Sequence, residues 1–316
     1  MFLKEKKILQ LQKIIKMNKS LNSVLHKKNI PLKKYNNFKI EAKALNFYIP
    51  ENINGFISLL KYFNDIKKKY IILGGGSNIL FVDEIVEIPI IYTGFFSRIE
   101  IYSDGILGYS GAKIIDLIKC AYKNSLSGLE FLFGLPGTVG GAAYMNARCY
   151  EHSISEFIET VGIIDENFEY NHIGIENCDY HYKKSVFQNK NYIIIDVKFK
   201  LNKKDKKLIK PEMNKYLNDR KKKNQFKYPS AGSVFLNDYK TNMIAGKIID
   251  SINMRGVKLG GAMVSPYHAN FIVNYKNATG RDIFLLMKKV KEEVYNQKGI
   301  LLKPEVKIIS NDNEKL

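Results

Sequence analysis

Several functional classes lose support because of what this sequence lacks. It has three cysteines, Cys120, Cys149 and Cys178, and no C-x-x-C pair. Neither a disulfide framework nor a zinc site is expected, and no metal is assigned. A reducing, cytoplasmic setting fits that usage. No run of about 18 uncharged apolar residues occurs, so no membrane span is expected. The basic stretch Met1 to Lys39 has no apolar h-region followed by a small-residue cleavage site, so no signal peptide is expected. Arginine is scarce: Arg98, Arg148, Arg220, Arg255 and Arg281 are the only ones among 50 Lys and Arg residues. Readers of bases rely on the arginine fork. With no groove-reading motif or aromatic stacking platform in sight, the formal charge of +19 is not read as a nucleic-acid surface. A lysine, isoleucine and asparagine surplus of this kind also follows from AT-rich coding. Long repeats and low-complexity tracts are absent.

What is present describes an ordinary globular chain. Of the 316 residues, 45% are hydrophobic and 26% charged, and the length suggests two domains. The charge is local. Residues 1–39 hold eleven Lys and one Glu, and residues 203–223 hold ten Lys and Arg against three acids. Those stretches account for nearly all of the excess. Residues 1–30 read as an extension, with Ile8, Leu11 and Ile15 on one face of a short amphipathic helix and Met17 as an alternative start.

The rest alternates β and α signals. Tyr70 to Leu73, Ile79 to Val82 and Ile88 to Tyr92 read as strands. Ile99–Tyr102 and Ile106–Tyr109 flank Ser103-Asp104-Gly105 as a hairpin. Helical spacing marks Leu59, Leu60 and Phe63, then Ile114, Leu117, Ile118 and Ala121. Val161 to Asp165 and Tyr192 to Leu201 read as strands. A charge-dense helix with Met213, Tyr216 and Leu217 on one stripe is expected to open near Pro211. The domain boundary is placed near residue 203, giving 31–203 and 204–316. In the last third, strands are expected at Ser233–Leu236, Ala262–Val264, Phe271–Asn274 and Val306–Ile309, with a helix near Ile244–Ile252. Ile283, Leu286, Met287, Val290 and Val294 mark a long helix.

Two glycine runs carry the chemistry. Gly74-Gly75-Gly76-Ser77-Asn78 follows a strand, and successive N–H groups in such a loop can cradle a pyrophosphate. No Gly-Lys-Ser/Thr follows, so it is not a Walker A loop. The strand after it, in place of a helix, also argues against the doubly wound dinucleotide fingerprint. Alone, the run could equally be a tight turn. The second run, Gly134-Leu135-Pro136-Gly137-Thr138-Val139-Gly140-Gly141, changes that balance. Two such loops in one β-rich region suit one extended ligand held at two places, and a flavin dinucleotide has the right size.

With these runs, the chain resembles the UDP-N-acetylenolpyruvoylglucosamine reductases over about residues 35–310. The matching residues include both runs and Gly128-Leu129-Glu130, Asn146-Ala147, Tyr182-Lys183-Lys184-Ser185-Val186-Phe187 and Pro229-Ser230-Ala231-Gly232-Ser233-Val234-Phe235. Gly260 to Ser265, His268 to Asn274 and Leu302-Lys303-Pro304-Glu305-Val306 complete the set. The resemblance implies an α+β fold: an FAD-binding domain of the vanillyl-alcohol-oxidase type, built of two α+β subdomains, followed by a smaller α+β substrate-binding domain. It also implies an NADPH-dependent flavoenzyme of peptidoglycan precursor synthesis, a cytoplasmic monomer acting on UDP-N-acetylglucosamine enolpyruvate. By the same resemblance Ser233 is the proton donor and Glu305 the second catalytic acid. Gly74, Gly75, Gly76, Ser77, Asn78, Gly134, Gly137, Thr138, Gly140, Gly141 and Asn146 contact the cofactor, and Tyr182 and Ser185 the substrate. His268 and Asn270 read as supports. An FAD-dependent oxidase of the same fold is the alternative enzyme.

The chain departs from the family pattern at several points. Lys183 stands where the family has a catalytic arginine, which keeps the charge and loses the bidentate fork. Arg148 stands where the family usually has glycine, and it is the candidate to restore part of that function at the substrate. Asn237-Asp238 replaces a common Asn-Pro, and Glu41-Ala42 a Gly-Gly. The short spacing from Ser185 to Ser233 matches the branch lacking an extra tyrosine loop.

Overall fold

A computed structural model describes residues 22–239, 241–314 and 316. The helix predicted around Ile8, Leu11 and Ile15 lies outside them. They form two compact units, one holding residues 22–27, Asn46–Gly74 and Pro89–Lys210, the other Lys28–Leu45, Gly75–Ile88 and Pro211–Leu316. Sequence order therefore does not delimit the units. The second unit draws in its early segments by pairing. Ile79–Phe81 runs parallel to Lys307–Ile309. The Asn274 side-chain amide donates to the Phe38 carbonyl at 2.9 Å, and the Asn37 N–H donates to the Gly76 carbonyl at 3.0 Å. Local periodicity carries no trace of such contacts.

The first unit is built around a five-stranded antiparallel sheet in the order Tyr170–Gly174, Ile158–Ile164, Ile193–Lys200, Gly105–Tyr109, Ile99–Tyr102. Tyr102 pairs with Gly105, so the predicted Asp-Gly turn closes the edge hairpin. A parallel arrangement sets Ile90–Tyr92 between the Phe47-Tyr48 segment and Ile71–Leu73. The helix Ile53–Asp65 starts where the Asn52 side chain accepts from the Gly55 N–H at 2.8 Å, as an N-cap does. Its Phe56, Leu59, Leu60 and Phe63 are buried with Ile91, Phe96, Ile164 and Ile195. Each such side chain contributes roughly 1.5–3 kcal/mol of burial free energy.

The charged helix runs Lys206–Lys222 and holds Pro211 inside it, a correction to the predicted opening at the proline. Asp205 fixes the earlier start, its carboxylate accepting from the Lys207 N–H at 2.8 Å. The cost is the one backbone bond that Pro211 cannot donate. Ile209 joins Met213 among its buried residues.

In the second unit, Lys258–Leu259, Ala262–Val264 and Ile272–Asn274 form an antiparallel sheet against which the helix Gly280–Lys298 packs. Ile283, Leu286, Met287, Val290 and Val294 are its buried stripe, as predicted. Thr279 and Asp282 close a reciprocal capping box at its start, and Gly299 ends it in the left-handed conformation. Among the described residues no helix is long and apolar enough to cross a membrane.

Candidate active site

The first glycine run passes from one unit into the other, with Gly74 in the first and Gly75 to Asn78 in the second. In the first unit, Gly74 lies against the second run. A Cβ on Gly74 would come within 2.5 Å of the Thr138 hydroxyl, so the two runs predicted to hold one ligand meet there. Thr138 caps the short helix Val139–Tyr144, accepting from the Gly141 N–H. The run is pinned to the segment before Ile114. Val139 donates to the Ala112 carbonyl at 2.9 Å, Gly140 to the Ser110 carbonyl at 3.0 Å, and Ile114 to the Gly137 carbonyl at 3.1 Å. In the second unit, Gly76 has φ +61°, and a Cβ there would overlap the Tyr35 carbonyl oxygen.

The first unit also brings Lys183, Tyr182 and Arg148 together. His181 and Lys184 exchange backbone hydrogen bonds of 3.1 and 3.2 Å, leaving Tyr182 and Lys183 at the tip of a tight turn. Lys183 is left-handed there, with φ +56°. The Arg148 guanidinium sits 5.8 Å from the centre of the Tyr182 ring, a cation–π distance. Asn146 fastens the turn to the second glycine run's helix. Its side chain donates to the His181 carbonyl at 2.9 Å and accepts from the Ser155 N–H at 3.3 Å. Ser185 is buried and donates to the Tyr144 carbonyl at 2.7 Å, leaving its lone pairs as acceptors. Gln188, which the sequence reading passed over, braces the same place by donating to the Lys183 and Tyr144 carbonyls.

In the second unit, residues distant in sequence converge on Ser233. The segment after Gly232 (φ +80°) is held on both sides by main chain. Ser233 bridges Phe271, and Val234 donates to the Asn270 carbonyl at 2.9 Å. On the other side Phe235 bridges Pro304, and the Glu305 N–H donates to the Val234 carbonyl at 2.8 Å. The Asn78 side chain donates to the Glu305 carbonyl at 3.0 Å. Ser233, Glu305 and the end of the first glycine run are thus neighbours through Val234 and Asn78.

Asn270 supports the Ser233 segment directly. It is fully buried, accepts from the Phe235 N–H at 3.0 Å and donates to the Phe235 carbonyl at 2.8 Å. It thereby imitates a β-ladder partner where no strand is available. His268, two residues away, accepts from the Asn270 N–H through Nδ1. Burial, reinforced by Arg255, holds its imidazole below the usual histidine value. The resemblance marked Asn270 as a support, but its partner Phe235 lies far away in sequence and could not be named from it.

The family model described as UDP-N-acetylenolpyruvoylglucosamine reductase, C-terminal domain, matches residues 224–309. The UDP-N-acetylenolpyruvoylglucosamine reductase of Borreliella burgdorferi is 44% identical over 296 residues, 92% of this chain and 98% of that one. That of Exiguobacterium sibiricum is 36% identical, over 90% of this chain and 93% of its own. The crystal structure of the reductase from Thermus caldophilus superposes with a TM-score of 0.76 at 29% identity, covering 91% of this chain and 99% of that one. The α+β fold expected from the sequence is therefore the fold of that enzyme, and this chain belongs to the UDP-N-acetylenolpyruvoylglucosamine reductase family.

Proposed function

We propose that the protein reduces UDP-N-acetylglucosamine enolpyruvate to UDP-N-acetylmuramate, with FAD as resident cofactor and NADPH as reductant. The observation that carries this reading is the convergence of Asn78, Ser233, Asn270 and Glu305, from four separate stretches, through main-chain and amide hydrogen bonds. Convergence of this kind holds a reacting group to within a fraction of an ångström, which enolate protonation requires.

The glycine runs fit a dinucleotide. A Cβ on Gly74 or Gly76 would strike neighbouring protein oxygens, so the run stays glycine, and successive N–H groups of such a loop can cradle a pyrophosphate. A bound flavin supplies hydride transfer between the nicotinamide and the enolpyruvyl alkene. The chain's own residues supply the rest. The Ser233 hydroxyl gives its proton to the carbon beside the carboxylate and regains one from solvent. Glu305 polarises the carboxylate end, where negative charge grows as the alkene is reduced. By the family resemblance Lys183 offers positive charge to the substrate, Arg148 supplements it, and Tyr182 and Ser185 contact the substrate.

The test is spectroscopic. The purified protein is expected to be yellow, to bleach with NADPH in the absence of oxygen, and to recolour on addition of the enolpyruvyl substrate. A colourless protein, or a bleached one that only oxygen recolours, contradicts the proposal. The second result would favour the oxidase reading.

A further inference from the structure

Lys183 is not glycine, yet its backbone is left-handed, with φ +56°. A residue with a Cβ stays in that region only where its surroundings hold it there. The His181–Lys184 bridge closes the turn without using the Lys183 carbonyl. Gln188 takes that carbonyl. Its side-chain Nε2 donates to the Lys183 carbonyl at 3.0 Å and to the Tyr144 carbonyl at 3.0 Å. The two hydrogens of an amide nitrogen match these two acceptors, and the Met145 sulfur lies 3.8 Å from the same nitrogen. Tyr144 is the last residue of the helix Val139–Tyr144, where carbonyls have no intrahelical partner. The Ser185 hydroxyl shares the Tyr144 carbonyl at 2.7 Å. The turn is therefore hung from the end of the second glycine run's helix by side chains on its C-terminal side.

We propose that Gln188 is a positioning residue for the reaction: it fixes the left-handed Lys183 against the end of that helix and so sets where the lysine's charge is presented to the substrate. The inference rests on the reading of Lys183 as a cation for the substrate. A residue has two soft backbone dihedrals. The closed turn and the captured carbonyl together fix both at Lys183, and with them the direction in which its side chain leaves the main chain. The need is greater for lysine than for arginine. An arginine fork locks itself on a carboxylate by two parallel bonds, whereas a lysine is a point charge on a flexible stem. Its precision has to come from the backbone that carries it. Without the Gln188 amide, Lys183 is released to relax into the right-handed region, which moves its Cβ and its charge.

The test is a double-mutant cycle on the full holoenzyme. The rate read is the recolouring of NADPH-bleached flavin by the enolpyruvyl substrate in the absence of oxygen. Gln188→Met keeps the length of the side chain and removes both N–H donors. It is expected to slow recolouring about 10- to 100-fold, as displacement of a reacting contact by about 1 Å does, with the visible spectrum of the bound flavin unchanged. Gln188→Glu keeps the shape and, ionised, also lacks the donors; it should be slowed at least as much. In a Lys183→Met background, Gln188→Met should add less than about twofold, because no charge is left to place. Thermal unfolding followed by circular dichroism shows that each variant is folded at the assay temperature. Wild-type recolouring in either Gln188 variant overturns the proposal. So does an equal slowing by Gln188→Met in the wild-type and Lys183→Met backgrounds, the mark of a brace that acts on stability alone. Wild-type recolouring in Lys183→Met would instead overturn the reading of Lys183 beneath it.

Discussion

Asn270→Ala tests whether the Ser233 segment depends on an amide standing in for a strand. The substitution removes both hydrogen bonds to Phe235, the 3.0 Å bond to its N–H and the 2.8 Å bond to its carbonyl. Phe235 is 1% exposed and Asn270 2%, so water cannot readily take over. The bond from the Val234 N–H to the residue-270 carbonyl remains, because it is main chain. Two buried groups left unsatisfied cost about 1–3 kcal/mol each, hence about 2–6 kcal/mol together. That is a large share of a stability that is ordinarily about 5–15 kcal/mol. With a urea slope of about 2–3 kcal/mol/M, the midpoint should fall by about 1–3 M. The chain has no tryptophan, so unfolding is best followed by far-ultraviolet circular dichroism. Turnover measured well below the new midpoint should also fall, because Ser233 lies two residues from the lost anchor. A loss below about 1 kcal/mol with unchanged turnover would show that the segment holds itself, and the reasoning would fail.

The remaining predictions concern glycine, charge and pH. Gly76→Ala places a Cβ against the Tyr35 carbonyl at φ +61° and should abolish flavin retention. Gly232→Ala, at φ +80° in open space, should cost only about 1–2 kcal/mol, and equal effects on thermal stability and flavin content would contradict this contrast. Arg148→Ala should raise the KM for the enolpyruvyl substrate about tenfold, the size of one exposed cationic contact; wild-type kinetics in this variant, with Lys183→Ala impaired, would remove Arg148 from the site. His268 has a depressed folded-state value, so the unfolded chain binds its proton more readily. Its contribution to stability is complete above the unfolded value of about 6.5 and is lost as pH falls through the lower folded value. Urea midpoints between about pH 7 and 5 should therefore fall less in His268→Gln than in wild type, and parallel curves would exclude this role.

Much of the fold is legible in the sequence because much of it is local. The Gly280–Lys298 helix shows its buried stripe at i, i+3, i+4, i+7 and i+11, and the Asp104-Gly105 turn announces the edge hairpin. Asp205 outweighed Pro211 in setting the start of the charged helix, since capping and proline signals compete and only the cap met its N–H partner. The assignment of Lys28–Leu45 and Gly75–Ile88 to the second unit depends on pairing across more than two hundred residues. No window of sequence contains that information. The candidate site divides in the same way. The glycine runs, the Ala-Gly-Ser segment and the run holding Asn270 stand out as motifs, while Gln188 and the backbone partners of Asn270 are not marked by the sequence.

The central claim is that Ser233, held beside Glu305, protonates the reduced substrate. Its most direct test is the pair of anaerobic half-reactions in Ser233→Ala. NADPH should bleach the variant at close to the wild-type rate, because that step uses no proton from residue 233. Recolouring by the enolpyruvyl substrate should slow by about 10²- to 10⁴-fold, the usual worth of a positioned proton donor. Recolouring at the wild-type rate would contradict the account.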